Sequence, residues 1–333
     1  MSNPLKDTDH LQAGARVKYR ERYILSREKL QRMSDAKSPE DVLKLLSEFG
    51  WPEITRPAMI AVEEALAARR EEAFTLMRSM VKDKRLVDLF CIKYDYHNLK
   101  TLLKSEATGE SPDNLLVDIG MFSCRNLRVM LREDNYRGMS KNMAQSITEA
   151  RDVLARTQNP QLLDLILDKA MFVDMLEMAN TMGTRFITGY VVLLIDSANL
   201  RTFVRAKRMG KGLDVLRLAL IPGGKASASR LLGDATADPL ENIFSQSPLV
   251  AAAQIGAQAL RSEASLSDVD LACDNALIKY LKPAKYVTFG ADPLIGYQAA
   301  LEAELTSVRT VVAGRIAGLP AETITERLRE TYV

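Results

Sequence analysis

Hydrophobic positions along this chain recur at helical spacing and nowhere alternate with polar ones for more than a few residues. That pattern predicts an all-α fold. Between Leu11 and Gly50 two helical patterns meet at a break from Ser34 to Pro39, with Leu25, Leu30 and Met33 near one apolar face. Ser38-Pro39-Glu40-Asp41 has the composition of a helix start: a hydroxyl cap, proline in the first turn, and acids at the positive end. Val42, Leu43, Leu45 and Leu46 supply the buried face behind it. Gly50-Trp51-Pro52 ends that element. A long amphipathic segment then runs from Met59 to Arg85, with Glu63, Glu64, Glu71 and Glu72 on its outer side, and Leu86 to Glu106 follows as a further helix.

Beyond Met121, Asn159-Pro160 starts a helix carrying Leu162, Leu163, Leu165, Ile166 and Phe172, and a second long helix is expected from about Met175 to Arg208. Ile221-Pro222-Gly223-Gly224 closes that region, and Lys225 to Asp238, small and polar, reads as a loop. Ser267-Asp268 offers the next cap. Pro293 to Gly314 is a long helix, and Thr323 to Tyr332 a last short one.

One sequence element occurs three times in this frame. Asp95, Asn98, Leu99, Lys100 and Thr101 stand 101 residues before Asp196, Asn199, Leu200, Arg201 and Thr202. A more divergent copy begins at Glu304, where Val308, Arg309, Thr310 and Val312 stand 108 residues after Leu200, Arg201, Thr202 and Val204. Glycines follow each copy. Three matches in register argue a triplicated unit, with divisions at 1–120, 121–225 and 226–333.

Two readings of the element are open. Its Asp, Asn and cations could form the exposed face of a long helix whose Leu and Val positions are core. Alternatively Arg201, Arg205 and Arg208, spaced to share one helix face, form a basic stripe for an acidic or polar partner. Lys100 and Lys104 repeat the first two positions; in the third copy Arg309 repeats the first and Ala313 replaces the second.

Composition narrows the function. The chain has 333 residues, 47% apolar and 26% charged, with a formal charge of +2. A charge so nearly balanced argues against wrapping nucleic acid. Cys91, Cys124 and Cys273 are scattered, which fits free thiols in a reducing compartment. The start lacks the apolar stretch of a secretory signal, and the longest largely apolar run, Phe186 to Ile195, is about half of what a membrane span needs. The expectation is a soluble or peripheral protein.

Catalytic constellations are missing from the pattern. His10 and His97 stand far apart, without metal-ligand spacing. Gly223-Gly224-Lys225-Ala226-Ser227 has part of a phosphate loop, but Ala219 stands where its first glycine belongs and Ala226 follows the lysine, so no nucleotide site is expected. No catalytic residue, metal or cofactor is assigned.

The runs YDYHNLKTLLKSEATG, FITGYVVLLIDSANLRTFVRAKRMGKG with LIPGG, and GADPLIGYQAALEAELTSVRTVVAGRIAGLP before a Tyr-Val end resemble the C subunit of bacterial and archaeal V-type (A-type) rotary ATPases, called the d subunit in eukaryotes. The opening ARVKYRERYILSREKLQRMSDAKSPEDVLKLLSEFG is similar to that family's first helices, so the resemblance spans essentially the whole chain. It implies three helical units around a pseudo-threefold axis forming a funnel, one copy per complex. The open side would receive the central shaft and the closed side would rest on the cytoplasmic face of the membrane rotor ring, held there by protein partners. The subunit would be non-catalytic and would pass rotation between the two. Arg201, Arg205 and Arg208, with Lys100 and Arg309 second, are the expected funnel-lining contacts. The competing reading is an α-helical repeat scaffold with unrelated partners.

Overall fold

The structure is a computed structural model that describes residues 4–333 apart from 227, 234–236 and 263–264. Every regular element among the described residues is a helix. In chain order come α1 (Leu11–Glu21), α2 (Arg27–Ser34), α3 (Pro39–Glu48), α4 (Met59–Met80), α5 (Arg85–Thr108), α6 (Cys124–Arg132), α7 (Lys141–Thr157), α8 (Pro160–Met182) and α9 (Arg185–Arg208). They are followed by α10 (Leu213–Ala219), α11 (Ala228–Leu232), α12 (Ala237–Ile243), α13 (Val250–Arg261), α14 (Leu266–Leu281), α15 (Asp292–Ile316) and α16 (Ala321–Glu326). The chain divides into two compact units, one of residues 1–4 and 87–270, the other of residues 5–86 and 271–333.

The second unit joins the two ends of the chain. Leu301, Leu305, Val308 and Val312 of α15 share a core with Leu30 and Met33 of α2, Leu46 of α3 and Leu66 of α4. Burial of such side chains contributes roughly 2 kcal/mol each. Ser38 accepts from the Asp41 amide at 3.1 Å with Pro39 in the first turn, as its sequence predicts. Arg27 donates to the Thr325, Leu328 and Arg329 carbonyls, satisfying groups left over where α16 ends. Tyr332 donates to Glu21 at 3.2 Å, and Arg329 pairs with Asp274 at 2.6 Å. The last turn of helix stops at Glu326, so the expected helix from Thr323 to Tyr332 is instead α16 followed by an irregular tail tied down at Arg329 and Glu330.

In the first unit the segment expected as one helix from Met175 to Arg208 is two. Gly183 takes a left-handed conformation at φ 72°, which glycine adopts without steric cost. Thr184 then caps the next helix by accepting from the Ile187 amide at 3.3 Å. The stretch from Lys225 to Asp238, read as a loop, contains α11 and the start of α12; Ser227 and residues 234–236 lie outside the described residues. The start of α14 lies before Ser267, with Ser265 Oγ accepting from the Ser267 amide, so the cap stands two residues earlier than the sequence suggests.

Helix α9 is long and apolar enough to cross a membrane, but 61% of its most apolar window is buried inside the protein. It also carries buried Asp196, Ser197 and Asn199. Its burial within the protein and its buried polar side chains are those of a core helix.

Candidate functional site

The repeated element lies on α5, α9 and α15, and its Asp and Asn are not part of an exposed face. Asp95, Asn98 and Asn199 are fully buried and Asp196 nearly so. In the first copy the Asp95 carboxylate accepts from the Met121 amide at 2.8 Å and the Phe122 amide at 3.0 Å. Asn98 donates to the Val117 carbonyl and accepts from the Val117 amide, at 2.8 and 2.9 Å. In the second copy Asp196 accepts from Lys225 and Ala226 at 3.1 and 3.0 Å, while Asn199 exchanges the same pair of bonds with Ile221, both at 2.8 Å. Asp and Asn one helical turn apart therefore pin the returning chain by its backbone, twice over. A buried amide without an acceptor costs about 1–3 kcal/mol, so each set closes a segment that would otherwise strand several groups.

Glycine makes the approach possible. A Cβ on Gly120 or Gly224 would come within 3 Å of Asp95 or Asp196 Oδ1. The amides of Lys225 and Ala226, which a phosphate loop would turn toward its anion, are occupied by Asp196. That accounts for the partial phosphate-loop pattern.

In the third copy Glu304 replaces Asp and Ser307 replaces Asn. Glu304 Oε2 accepts from the Leu25 amide at 2.7 Å, so its backbone partner comes from the start of the chain. Arg69 lies 3.7 Å from the other oxygen and rests over the Trp51 ring. Ser307 turns to the Ala303 carbonyl within its own helix and adds no second bond to the returning segment. Burial pushes the Glu304 carboxyl up to about 7 against the pull of Arg69, and burial raises Asp196 to about 6 against its two amide donors.

The cations of the element follow a second rule. Lys100 pairs with Asp168 of α8 at 2.7 Å. Arg201 bonds the Asp270 carbonyl of α14 at 3.1 Å and lies 3.5 Å from its carboxylate, which Arg205 engages at 2.8 Å. Arg309 pairs with Glu63 of α4. In every copy the acid stands on a helix that comes before a motif helix in the chain: α8 before α9, α14 before α15 and α4 before α5. Lys104 extends the first pairing to Asp164 at 2.6 Å.

The structure thus brings Arg201 and Arg205 onto one carboxylate, places Lys100 and Arg309 at equivalent pairs of their own, and leaves Arg208 exposed at the end of α9. Asp168 and Asp270, the pairing of Glu63 with Arg309, and the clamping role of Asp95 and Asp196 escaped the sequence reading. The hundred-residue repeat of Asp-x-x-Asn was their visible trace. A further buried acid, Asp174, accepts from Tyr96, Ser140 and Asn142 at 2.8, 2.7 and 2.9 Å, joining α5, α7 and α8.

Among the described residues no group of His, Cys, Asp or Glu side chains could hold a metal ion. The polar residues of the repeated element, clamps and most cations alike, are directed at the chain itself, which defines a helical framework protein built from a repeated, self-clamped helix. The chain belongs to the C-subunit family of V-type/A-type ATPases: the family model ATP synthase (C/AC39) subunit matches residues 13–327. The chain is 21% identical to the C subunit of the V-type sodium ATPase of Enterococcus hirae, over 95% of this chain and 97% of that one. It is 23% identical to the C subunit of the A-type ATP synthase of Methanocaldococcus jannaschii, over 93% and 84%. The corresponding C subunit of the V-type ATP synthase of Thermus thermophilus is 26% identical over 63% and 67%.

Proposed function

We propose that this chain is the non-catalytic central-stalk adapter of a V-type/A-type rotary ATPase, linking the rotating shaft of the ATP-hydrolysing head to the membrane rotor ring and transmitting torque for proton or sodium transport. The observation that carries the reading is the family match along residues 13–327. The recurring clamp and ion pair favour a body of three similar units, 1–120, 121–225 and 226–333, set around a pseudo-threefold axis as a funnel. One copy works per complex, on the cytoplasmic side, held by its protein partners.

A torque link has to be stiff. Buried carboxylates bonded to backbone amides fix the returning segments, and the cation pairs tie each motif helix to a neighbour. Torque transfer also needs contacts at both faces, each of at least a standard interface of roughly 1,600 Å². Arg201, Arg205, Arg208, Lys100 and Arg309 line the shaft-facing side in this reading, with the partly exposed ion pairs as their inner edge.

The double variant Arg205→Glu with Arg208→Glu is expected to weaken binding of purified central-shaft subunits about tenfold at low salt, mainly through slower association. High salt should narrow the difference from the unaltered chain. Circular dichroism of the variant checks that the helices persist. Unchanged shaft affinity at low salt would remove these cations from the interface.

A further inference from the structure

The connection after the second motif helix exposes more apolar surface than its clamp requires. Every residue from Arg208 to Leu218 except Leu216 is exposed, and the run includes Met209 at 65%, Leu218 at 53%, Leu213 and Val215. The first copy supplies a control. There the same Asp and Asn clamp holds a connection containing Glu106, Glu110 and Asp113, with Leu115 as its one exposed large apolar side chain. Closing the clamp therefore does not demand exposed Met, Leu and Val. Four exposed large apolar side chains within ten residues of chain, without a demand from the fold, mark a contact site.

Leu218 also lines a groove of about 540 Å³ between α7 and α8, whose apolar wall includes Val153, Leu162, Leu165, Ile166 and Val173. The lining also carries Arg156 and Glu149, both exposed, and the half-buried Lys169. With Lys211, Asp214 and Arg217 of the exposed run, this makes four cations against two acids. None of the six enters an ion pair among the described residues, so the surface keeps a net positive charge. A groove between two helices, apolar within and cationic at its edge, has the shape and charge to take an amphipathic helix whose apolar anchors are flanked by carboxylates.

We infer that the Met209–Leu218 segment and the α7/α8 groove together form an anchoring surface for an amphipathic, acid-flanked helix of the central shaft. This rests on the adapter reading, and it adds an apolar anchor next to Arg208, where the cation row of α9 ends. Met209 and Leu218 are the anchoring contacts. Lys211 and Arg217 steer the approach.

The test uses the full chain with purified central-shaft subunits and, separately, the detergent-solubilised rotor ring. Met209→Ser with Leu218→Ser is expected to loosen shaft binding by about tenfold, chiefly through faster dissociation. Lys211→Glu with Arg217→Glu should slow association, with the loss shrinking at high salt. All four residues are exposed, so helical content should stay unchanged, and ring binding should be retained by both variants. Shaft binding that neither variant alters overturns the inference, and so does loss of ring binding with shaft binding intact, which would assign the surface to the ring. Failure of the unaltered chain to bind either partner would instead sink the adapter reading beneath it.

Discussion

Asp196→Ala is expected to destabilise the unit containing α9 by about 3 kcal/mol, through the two buried amides of Lys225 and Ala226 that lose their acceptor. Each amide left unpaired costs about 1–3 kcal/mol, and removal of a carboxylate that is itself unfavourably buried returns part of that. Asp196→Asn should fall between, because the two amides use different oxygens and an amide side chain offers only one. A loss of about 3 kcal/mol corresponds to a drop of roughly 10 °C in the unfolding midpoint for a unit of this size. Thermal unfolding followed by circular dichroism reads the midpoint, and amide exchange at Lys225 and Ala226 reads the site. Equal stability of the aspartate and alanine forms would show that the clamp contributes nothing.

Glu304 carries the largest expected pH effect. Its folded-state value of about 7 lies above the ordinary 4.5, so the native state holds this proton more tightly than the unfolded chain does. The associated stability is fully present below 4.5 and is lost as pH rises through about 7, a total of about 3 kcal/mol. Burial also raises Glu21 in the same unit, which adds a change of the same sign. Glu304→Gln isolates the contribution, since the amide oxygen still accepts from Leu25 while the buried charge is gone. The variant should be the more stable form at about pH 8 and should flatten the stability profile from the ordinary carboxylate range up to that pH. Identical profiles for the two forms, followed by denaturant unfolding across that range, would contradict the assignment.

Helix content and the repeated element were legible because they depend on local chemistry and on spacing. Ser38-Pro39 starts α3 and Asn159-Pro160 starts α8 as their residues predict, since a cap acts within one turn. The break at Gly183-Thr184 was equally local and was hidden by the apolar residues on either side. Burial of Asp95 and Asp196 was not legible at all. An aspartate on a helix is ordinarily solvated, and only the approach of Met121 and Phe122, or of Lys225 and Ala226, supplies the amides that let it stay inside. The same holds for the cations: Arg201 and Lys100 look like an open stripe until Asp270 and Asp168, about seventy residues further along the chain, arrive beside them. Partners that stand far from the element along the chain stay concealed even when its copies reveal themselves.

The third copy extends this point. Glu304, one methylene longer than the aspartates, reaches the Leu25 amide from the opposite end of the chain. Arg309 likewise reaches back to Glu63. In the third copy the motif helix thus holds segments that lie earlier in the chain, at Leu25 and Glu63. Each of the three copies keeps a buried carboxylate bonded to a backbone amide and a cation paired with an acid, although in the third Ser307 adds no second bond.

The adapter reading is tested most directly by asking whether the chain bridges its two partners. Central-shaft subunits mixed with detergent-solubilised rotor ring should run apart on size exclusion when this chain is absent and should co-elute when it is added. Shaft and ring that remain separate in the presence of the full chain, at low salt, would contradict the account.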